Sequence, residues 1–185
     1  MHERRFNREV ERLRDPERVA RLEIERVVYL SLKGLKNVKT FLDIGTGSGL
    51  FAEGFAAKGL QIIGLDANLE MLTTAYQYVP AGAFIEGIAE NLPFPDRTFD
   101  LIFMGLSLHE TDDLLNSLQE AHRITLQRLV ILEWPYEEQS FGPPRKHRLS
   151  YEKISSLAYQ SGFKDVLQSR LENLSLYCAN NFHTV

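Results

Sequence analysis

Two acids, three glycines and one histidine stand where they could do chemistry: Asp43, then Gly45, Gly47 and Gly49, then Asp66, and much later His109. Glycine at every second position lets the backbone turn sharply and lets a ligand approach the free N–H groups of a following helix. Asp66 follows the turn by about twenty residues, the offset at which an acid ending a second strand reaches ribose hydroxyls in an open α/β sheet. Asp43 sits at the mouth of the turn, where its charge repels a pyrophosphate but welcomes a cationic amino-acid tail. The spacing is G-x-G-x-G and not the G-x-G-x-x-G of dinucleotide folds. Both facts favour S-adenosylmethionine over NAD. The bland alternative makes the two acids turn and cap residues at strand ends.

These residues need strands and helices to hold them. Residues 38–42 form an apolar, β-branched strand before the turn, and 50–58 have helix-forming composition after it. Residues 61–65 give a second strand closed by Asp66. Asn68 caps a helix with a stripe of Leu69, Leu72, Tyr76 and Val79, ended by Pro80. Residues 83–85 are a short third strand, and 99–104 a central strand carrying Asp100, an acid that must find a partner. Asp112 or Asp113 caps a helix with Leu114, Leu115, Leu118 and Ala121 inward, and 129–132 form a fifth strand preceded by a turn at 125–128. Ser150 caps a helix that Gly162 stops. Residues 163–171 form a sixth strand, and Leu174, Leu176 and Cys178 alternate as a last strand with one buried face. Upstream, Asp15-Pro16 starts a helix over 16–32, and 6–14 offer a second short helix above the cofactor mouth.

The ordered set Asp43-x-Gly45-x-Gly47-x-Gly49, Gly64-Leu65-Asp66-Ala67-Asn68, Ala89-Glu90-Asn91-Leu92-Pro93-Phe94 and Phe99-Asp100-Leu101-Ile102 resembles the motifs of class I S-adenosylmethionine-dependent methyltransferases. It is most similar to the small branch that includes quinone-ring methyltransferase-like proteins, and the likeness runs over about residues 40–163. The resemblance implies an α/β three-layer sandwich with a seven-stranded, mostly parallel, Rossmann-like sheet and an antiparallel terminal strand. It implies an N-terminal helical cap over 1–36 on a methyltransferase domain over 37–185. It also implies cofactor contacts from Asp43, Gly45, Thr46, Gly47, Gly49, Asp66, Ala67, Met71, Ile88, Ala89, Glu90, Met104 and Gly105. The family has an acid where Ile88 stands; Glu90, a backbone carbonyl or water could replace it at the adenine amino group. The product would be S-adenosylhomocysteine.

Methyl transfer from a sulfonium needs alignment more than acid–base machinery. His109, just past the fourth strand, is the candidate base, against a packing or capping role. The proline-rich connection after the fifth strand is a substrate lid through Trp134, Tyr136, His147 and Arg148, the last two either closing on a polar acceptor or anchoring the loop. The histidine spacing gives no metal pattern, and one cysteine, Cys178, excludes an internal disulfide. A net charge of −4 argues against a nucleic-acid partner, and no apolar run approaches a membrane span. A cytoplasmic monomer or homodimer acting on a small-molecule acceptor is the expectation. The alternatives are a sensor that binds S-adenosylmethionine or S-adenosylhomocysteine without turnover, and an NAD(P)-linked oxidoreductase.

Overall fold

Runs such as Phe41-Leu42 and Leu129 to Leu132 are apolar at consecutive positions, so a strand built from them must be covered on both faces. In the computed structural model, which describes residues 10–182, that requirement is met by one seven-stranded sheet. Its strands are β1 Thr40–Ile44, β2 Gln61–Asp66, β3 Ala83–Glu86, β4 Phe99–Gly105, β5 Thr125–Glu133, β6 Asp165–Arg170 and β7 Ser175–Asn180, in spatial order 3-2-1-4-5-7-6. The first five pair in parallel, and β7 runs antiparallel to both neighbours. The helices are α1 Val10–Leu13, α2 Pro16–Arg21, α3 Ile24–Leu32, α4 Leu50–Ala56, α5 Leu69–Tyr78, α6 Leu114–Ile124 and α7 Tyr151–Ser161.

Alternate residues of each strand point to opposite faces, which divides the core in two. Leu42, Ile44, Ile102, Met104 and Ile131 pack with Leu118, Ile154 and Tyr177 on one face. Phe41, Leu101, Phe103, Val130 and Leu132 pack with Val28, Phe51 and Phe55 on the other. The second cluster is dense in aromatics: Phe41 and Phe55 stack at 4.1 Å, and Phe103 lies 4.8 Å from Phe51 and 5.5 Å from Phe55. This three-layer arrangement is the expected one.

Several local expectations are corrected. The helix over 16–32 is two helices, because Glu23 takes a left-handed φ of 48° and accepts a hydrogen bond from the Glu172 N–H at 2.7 Å. Its Asp15 cap holds, accepting from Arg18 N–H at 3.1 Å. On α5 the buried face is Met71, Leu72 and Ala75, while Leu69 and Tyr76 are exposed. The face turned because Gly49 abuts Ala75: a Cβ on that glycine would lie 2.9 Å from the Ala75 Cα. Residues 125–128 are the start of β5, not a turn, as α6 runs straight into the strand. Strand β7 is buried along its whole length because it inserts between β5 and β6. Asp100 finds its partners at the foot of β1, accepting from the Lys39 and Thr40 N–H groups at 2.9 and 3.0 Å.

Phe103 is fully buried where four rings meet. Phe103→Ala should therefore destabilise the chain by about 3–5 kcal/mol in denaturant unfolding. A loss below about 1 kcal/mol would mean that the ring cluster does not hold the sheet to α4.

Candidate functional site

The strand order reverses between β1 and β4, and ligands of such sheets bind in the crevice beyond the carboxyl ends at that point. There the chain leaves β1 through Gly45-Thr46-Gly47-Ser48-Gly49 into α4. Gly45, at φ 72°, could carry no side chain: a Cβ would stand 2.5 Å from Ser107 Cβ in the loop after β4. The Gly45 and Thr46 N–H groups donate to the Leu65 carbonyl at 2.7 and 3.0 Å, fastening the turn to β2.

Asp43 is 2% exposed, and its one side-chain partner among the described residues is the Thr46 hydroxyl, which donates to it at 2.9 Å. Burial pushes its carboxyl up to about 7, against the Thr46 bond and helped by the nearby Asp66 charge. A buried acid with so little compensation fits a cationic ligand group. Asp66 accepts from Gly47 N–H at 2.8 Å and Asn68 N–H at 2.9 Å. Burial raises its carboxyl as well, those two bonds opposing. With the Ala67 N–H also directed at it, the Asp66 carboxylate still has room for a further donor.

The remaining expected contact residues divide. Ala67 and Ile88 are exposed at the rim, Gly105 is partly buried at the end of β4, and Ala89, Met71 and Met104 are buried. Glu90 turns away from the crevice: its carboxylate accepts from Asp112 N–H at 2.7 Å and Asp113 N–H at 3.3 Å, ahead of α6. From the other side, Leu13 packs over Gly47, and Arg14 donates to the Ser48 carbonyl at 3.2 and 2.7 Å and to Glu53 at 2.9 Å. Of the short helix expected over 6–14, residues 6–9 lie outside the described residues and Val10–Leu13 are helical. Leu13 and Arg14 were not legible as site residues, since they sit in a run of interleaved charges.

His109 lies on a single helical turn, Leu108–Glu110, just beyond β4. Its Nδ1 is 2.8 and 3.0 Å from the two carboxylate oxygens of Glu133, the last residue of β5, and its own N–H donates to Glu133 Oε1 at 3.0 Å. Glu133 is fully buried. Burial alone depresses the imidazole, but the Glu133 charge and hydrogen bond, with help from Glu110, lift it above its usual range while Arg148 opposes. Glu133 is a site residue that the sequence pass missed. Its signal was an acid ending an apolar strand at the carboxyl edge.

In the connection expected to be a lid, Trp134 is half-buried with Phe141 5.9 Å away. Tyr136 and His147 face solvent. Arg148 is buried and anchors the loop: it donates to the carbonyls of Pro143, Pro135 and Phe141 and to Gln139 Oε1, at 2.8, 3.1, 2.8 and 2.6 Å. Of the two roles open to it, the geometry takes the anchor. A groove of about 890 Å³ opens elsewhere, between α2, α3 and α4, lined by Val19, Ile24, Leu50 and Glu53. It lies off the strand ends and gathers no acid–base constellation.

The doubly wound sheet thus carries, at its switch point, a glycine turn with a buried acid at its mouth and a second acid at the end of β2. Residues 42–128 match the family model for a methyltransferase domain. A demethylmenaquinone methyltransferase of Thermotoga maritima is 40% identical over 113 residues, 59% of this chain and 48% of that one. A malonyl-[acyl-carrier protein] O-methyltransferase of Hamiltonella defensa is 37% identical over 91 residues, 49% of this chain and 35% of that one. The crystal structure of an S-adenosylmethionine-dependent methyltransferase from Aquifex aeolicus superposes with a TM-score of 0.78 at 24% identity, covering 94% of this chain and 97% of that one. Over residues 42–128 the chain is thus similar to methyltransferase domains, and its fold is that of the Aquifex aeolicus protein. It spans about half or less of the length of those two curated relatives.

The family's cofactor carries an ammonium, and Asp43 must be ionised to pair with it. The folded chain holds the Asp43 proton up to about 7, whereas the ordinary value is 3.8. Between those limits the unfolded chain binds fewer protons, so Asp43 erodes stability as pH rises. The same rise frees a carboxylate for the cation. Affinity for S-adenosylmethionine should increase from about pH 6 to about pH 8 and then flatten, with Asp43→Asn abolishing the trend in calorimetry. A flat wild-type profile would remove Asp43 from the cation site.

Arg148 holds four acceptors with one planar fork, which a lysine cannot reproduce. Arg148→Lys should accelerate proteolytic cutting within residues 135–148. Equal cutting would show that the loop is held by other contacts.

Proposed function

We propose that the chain is an S-adenosylmethionine-dependent methyltransferase that passes a methyl group in line to a small-molecule acceptor and releases S-adenosylhomocysteine. The observation that carries this reading is Asp43, buried at the mouth of the glycine turn with a single side-chain donor. A pyrophosphate would meet a repelling acid there, while an amino-acid ammonium would find its counter-ion. Gly45, Thr46, Gly47 and Gly49 shape the turn, and Asp66 offers its remaining lone pairs to the ribose. Ile88 and Ala67 give apolar cover to the adenine. Met71, Ala89, Met104 and Gly105 support those walls from behind.

The cofactor brings an activated methyl group, so the chain's part is alignment and exclusion of water. Trp134 and Phe141, held by Arg148, close the acceptor side, with Tyr136 and His147 on the outer surface of the same lid. Residues 1–36 act as a cap on the domain that follows, with Leu13 and Arg14 seated on the glycine turn. The acceptor is small, as the demethylmenaquinone in one relative's name suggests for that relative's own reaction. The protein works in the cytoplasm as a monomer or homodimer without nucleic acid; no described helix is long and apolar enough to cross a membrane.

Calorimetry with S-adenosylmethionine, S-adenosylhomocysteine and NAD tests the proposal. The two adenosyl ligands should bind and NAD should not. Asp66→Ala should weaken both adenosyl ligands by about 1–3 kcal/mol through lost ribose bonds. Binding of NAD alone, or an unchanged affinity in the folded Asp66 variant, would overturn the assignment.

A further inference from the structure

The pair formed by His109 and Glu133 is more than alignment requires. Glu133 is fully buried at the end of β5, and His109, on the turn after β4, supplies both N–H donors to its carboxylate. An ionised carboxylate at such a site needs an N–H or a cation against it. Glu133 therefore fixes the Nδ1 proton and leaves the other nitrogen of the neutral ring as a lone pair. Among the described residues, that nitrogen, Nε2, is shown with the Glu110 carboxylate at 3.9 Å, beyond hydrogen-bond distance. The turn that carries it begins two residues after Leu106, whose N–H donates to the Leu132 carbonyl at the open end of the sheet. Leu106 itself has a positive φ of 59°, a strained conformation of the kind kept where geometry matters.

The charges around the ring also limit what can approach it. Glu110 flanks it from its own turn, Glu133 from β5 and Arg148 from the lid. Tyr177, on β7, faces Glu133 from behind. Two acids against one cation make the surroundings negative. The cation does not serve as an anion clamp either, because three loop carbonyls and Gln139 engage its donors. A carboxylate acceptor would meet repulsion and no receiving guanidinium. A neutral hydroxyl would meet a base.

Resting on the methyltransferase reading above, we propose that His109 is the proton acceptor for a phenol- or enol-type hydroxyl substrate and that Glu133 is its positioning residue. The hydroxyl O–H bond breaks and its proton passes to His109 Nε2. The oxygen forms a bond to the methyl carbon as the carbon–sulfur bond breaks, the electron pair staying on sulfur. The imidazolium so formed is held by Glu133 until it loses the proton to solvent. Rate should rise with pH through the His109 titration, since the neutral ring is the base; that titration is lifted above 6.5 by the Glu133 charge and hydrogen bond, which outweigh burial.

The first test uses nitrogen NMR of histidine-labelled full-length protein with no ligand added. Wild-type His109 should titrate above the free-imidazole range, and its neutral form should carry the proton on Nδ1. Glu133→Gln keeps an oxygen for the His109 N–H but removes the charge, and should lower that titration by about 1 pH unit. Glu133→Asp should restore it, and serves in its place should the Gln variant not fold, by retaining the Nδ1 tautomer. A proton on Nε2, or an unmoved titration in the folded Gln variant, overturns the dyad whether or not any cofactor binds.

The second test offers S-adenosylmethionine with catechol, a monoalkyl malonate, a primary amine and a thiol. Methyl transfer should go to catechol, with the rising limb of kcat displaced to lower pH in Glu133→Gln and its plateau reduced about 100-fold. The KM for S-adenosylmethionine should not change. Equal transfer to the malonate, or bound cofactor with no transfer to catechol, overturns the substrate class. Failure of S-adenosylmethionine to bind would instead sink the methyltransferase reading, and the substrate class with it, leaving the NMR result to judge the dyad.

Discussion

The approach of the turn after β1 to the loop after β4 is the constraint on which the working edge depends. Gly45 lies so close to Ser107 that a single added carbon would collide with its Cβ at 2.5 Å, and the Ser107 hydroxyl donates to the Ile44 carbonyl at 2.9 Å. The glycine turn and the loop that leads to His109 are thereby fixed side by side. His109 follows Ser107 by two residues, so its distance from the glycine turn is set by that contact and not by a flexible linker. The parallel pairing of β1 with β4 places both loops at the same edge in the first place.

Charge at this edge is largely negative and poorly compensated. Asp43 and Asp66 stand at the ends of β1 and β2, and Glu110 and Glu133 stand beyond β4 and at the end of β5. Buried carboxylates of this kind oppose folding unless something pairs with them. His109 pairs with Glu133 within the chain, whereas Asp43 has only neutral donors, the Thr46 hydroxyl and a backbone N–H. That difference is why the proposal gives Asp43, and not Glu133, to a cationic ligand group. It also separates this edge from a dinucleotide site, where a pyrophosphate would add to the repulsion.

The fold and the cofactor turn were legible because their signals are local. Asp15, Asn68, Asp113 and Ser150 each accept a backbone N–H within three residues, and Gly162 ends α7 with a φ of 110°. What local sequence could not show was set by contacts between distant segments. Glu23 breaks a helix because it meets Glu172, 149 residues away, and β7 loses its exposed face by entering between two strands. Glu90 lies in the right loop for adenine, yet its carboxylate is drawn to Asp112 and Asp113. Glu133 was hidden for the converse reason: its partner is 24 residues back, and only the parallel pairing of β4 with β5 brings them together.

The displaced Glu90 has a structural consequence of its own. Its carboxylate holds the N–H groups that open α6, and the Asn116 side chain returns a bond to the Glu90 carbonyl at 2.9 Å. The loop expected against adenine is thus tied to the segment that directly follows His109. Arg14 likewise ties the N-terminal segment to the glycine turn through Ser48 and stacks over Tyr78 at 3.1 Å. Three segments that would each lose freedom on ligand binding are already fastened to one another. For the methyl transfer proposed above, such fastening would supply alignment before the ligand arrives, leaving the proton to the His109–Glu133 pair.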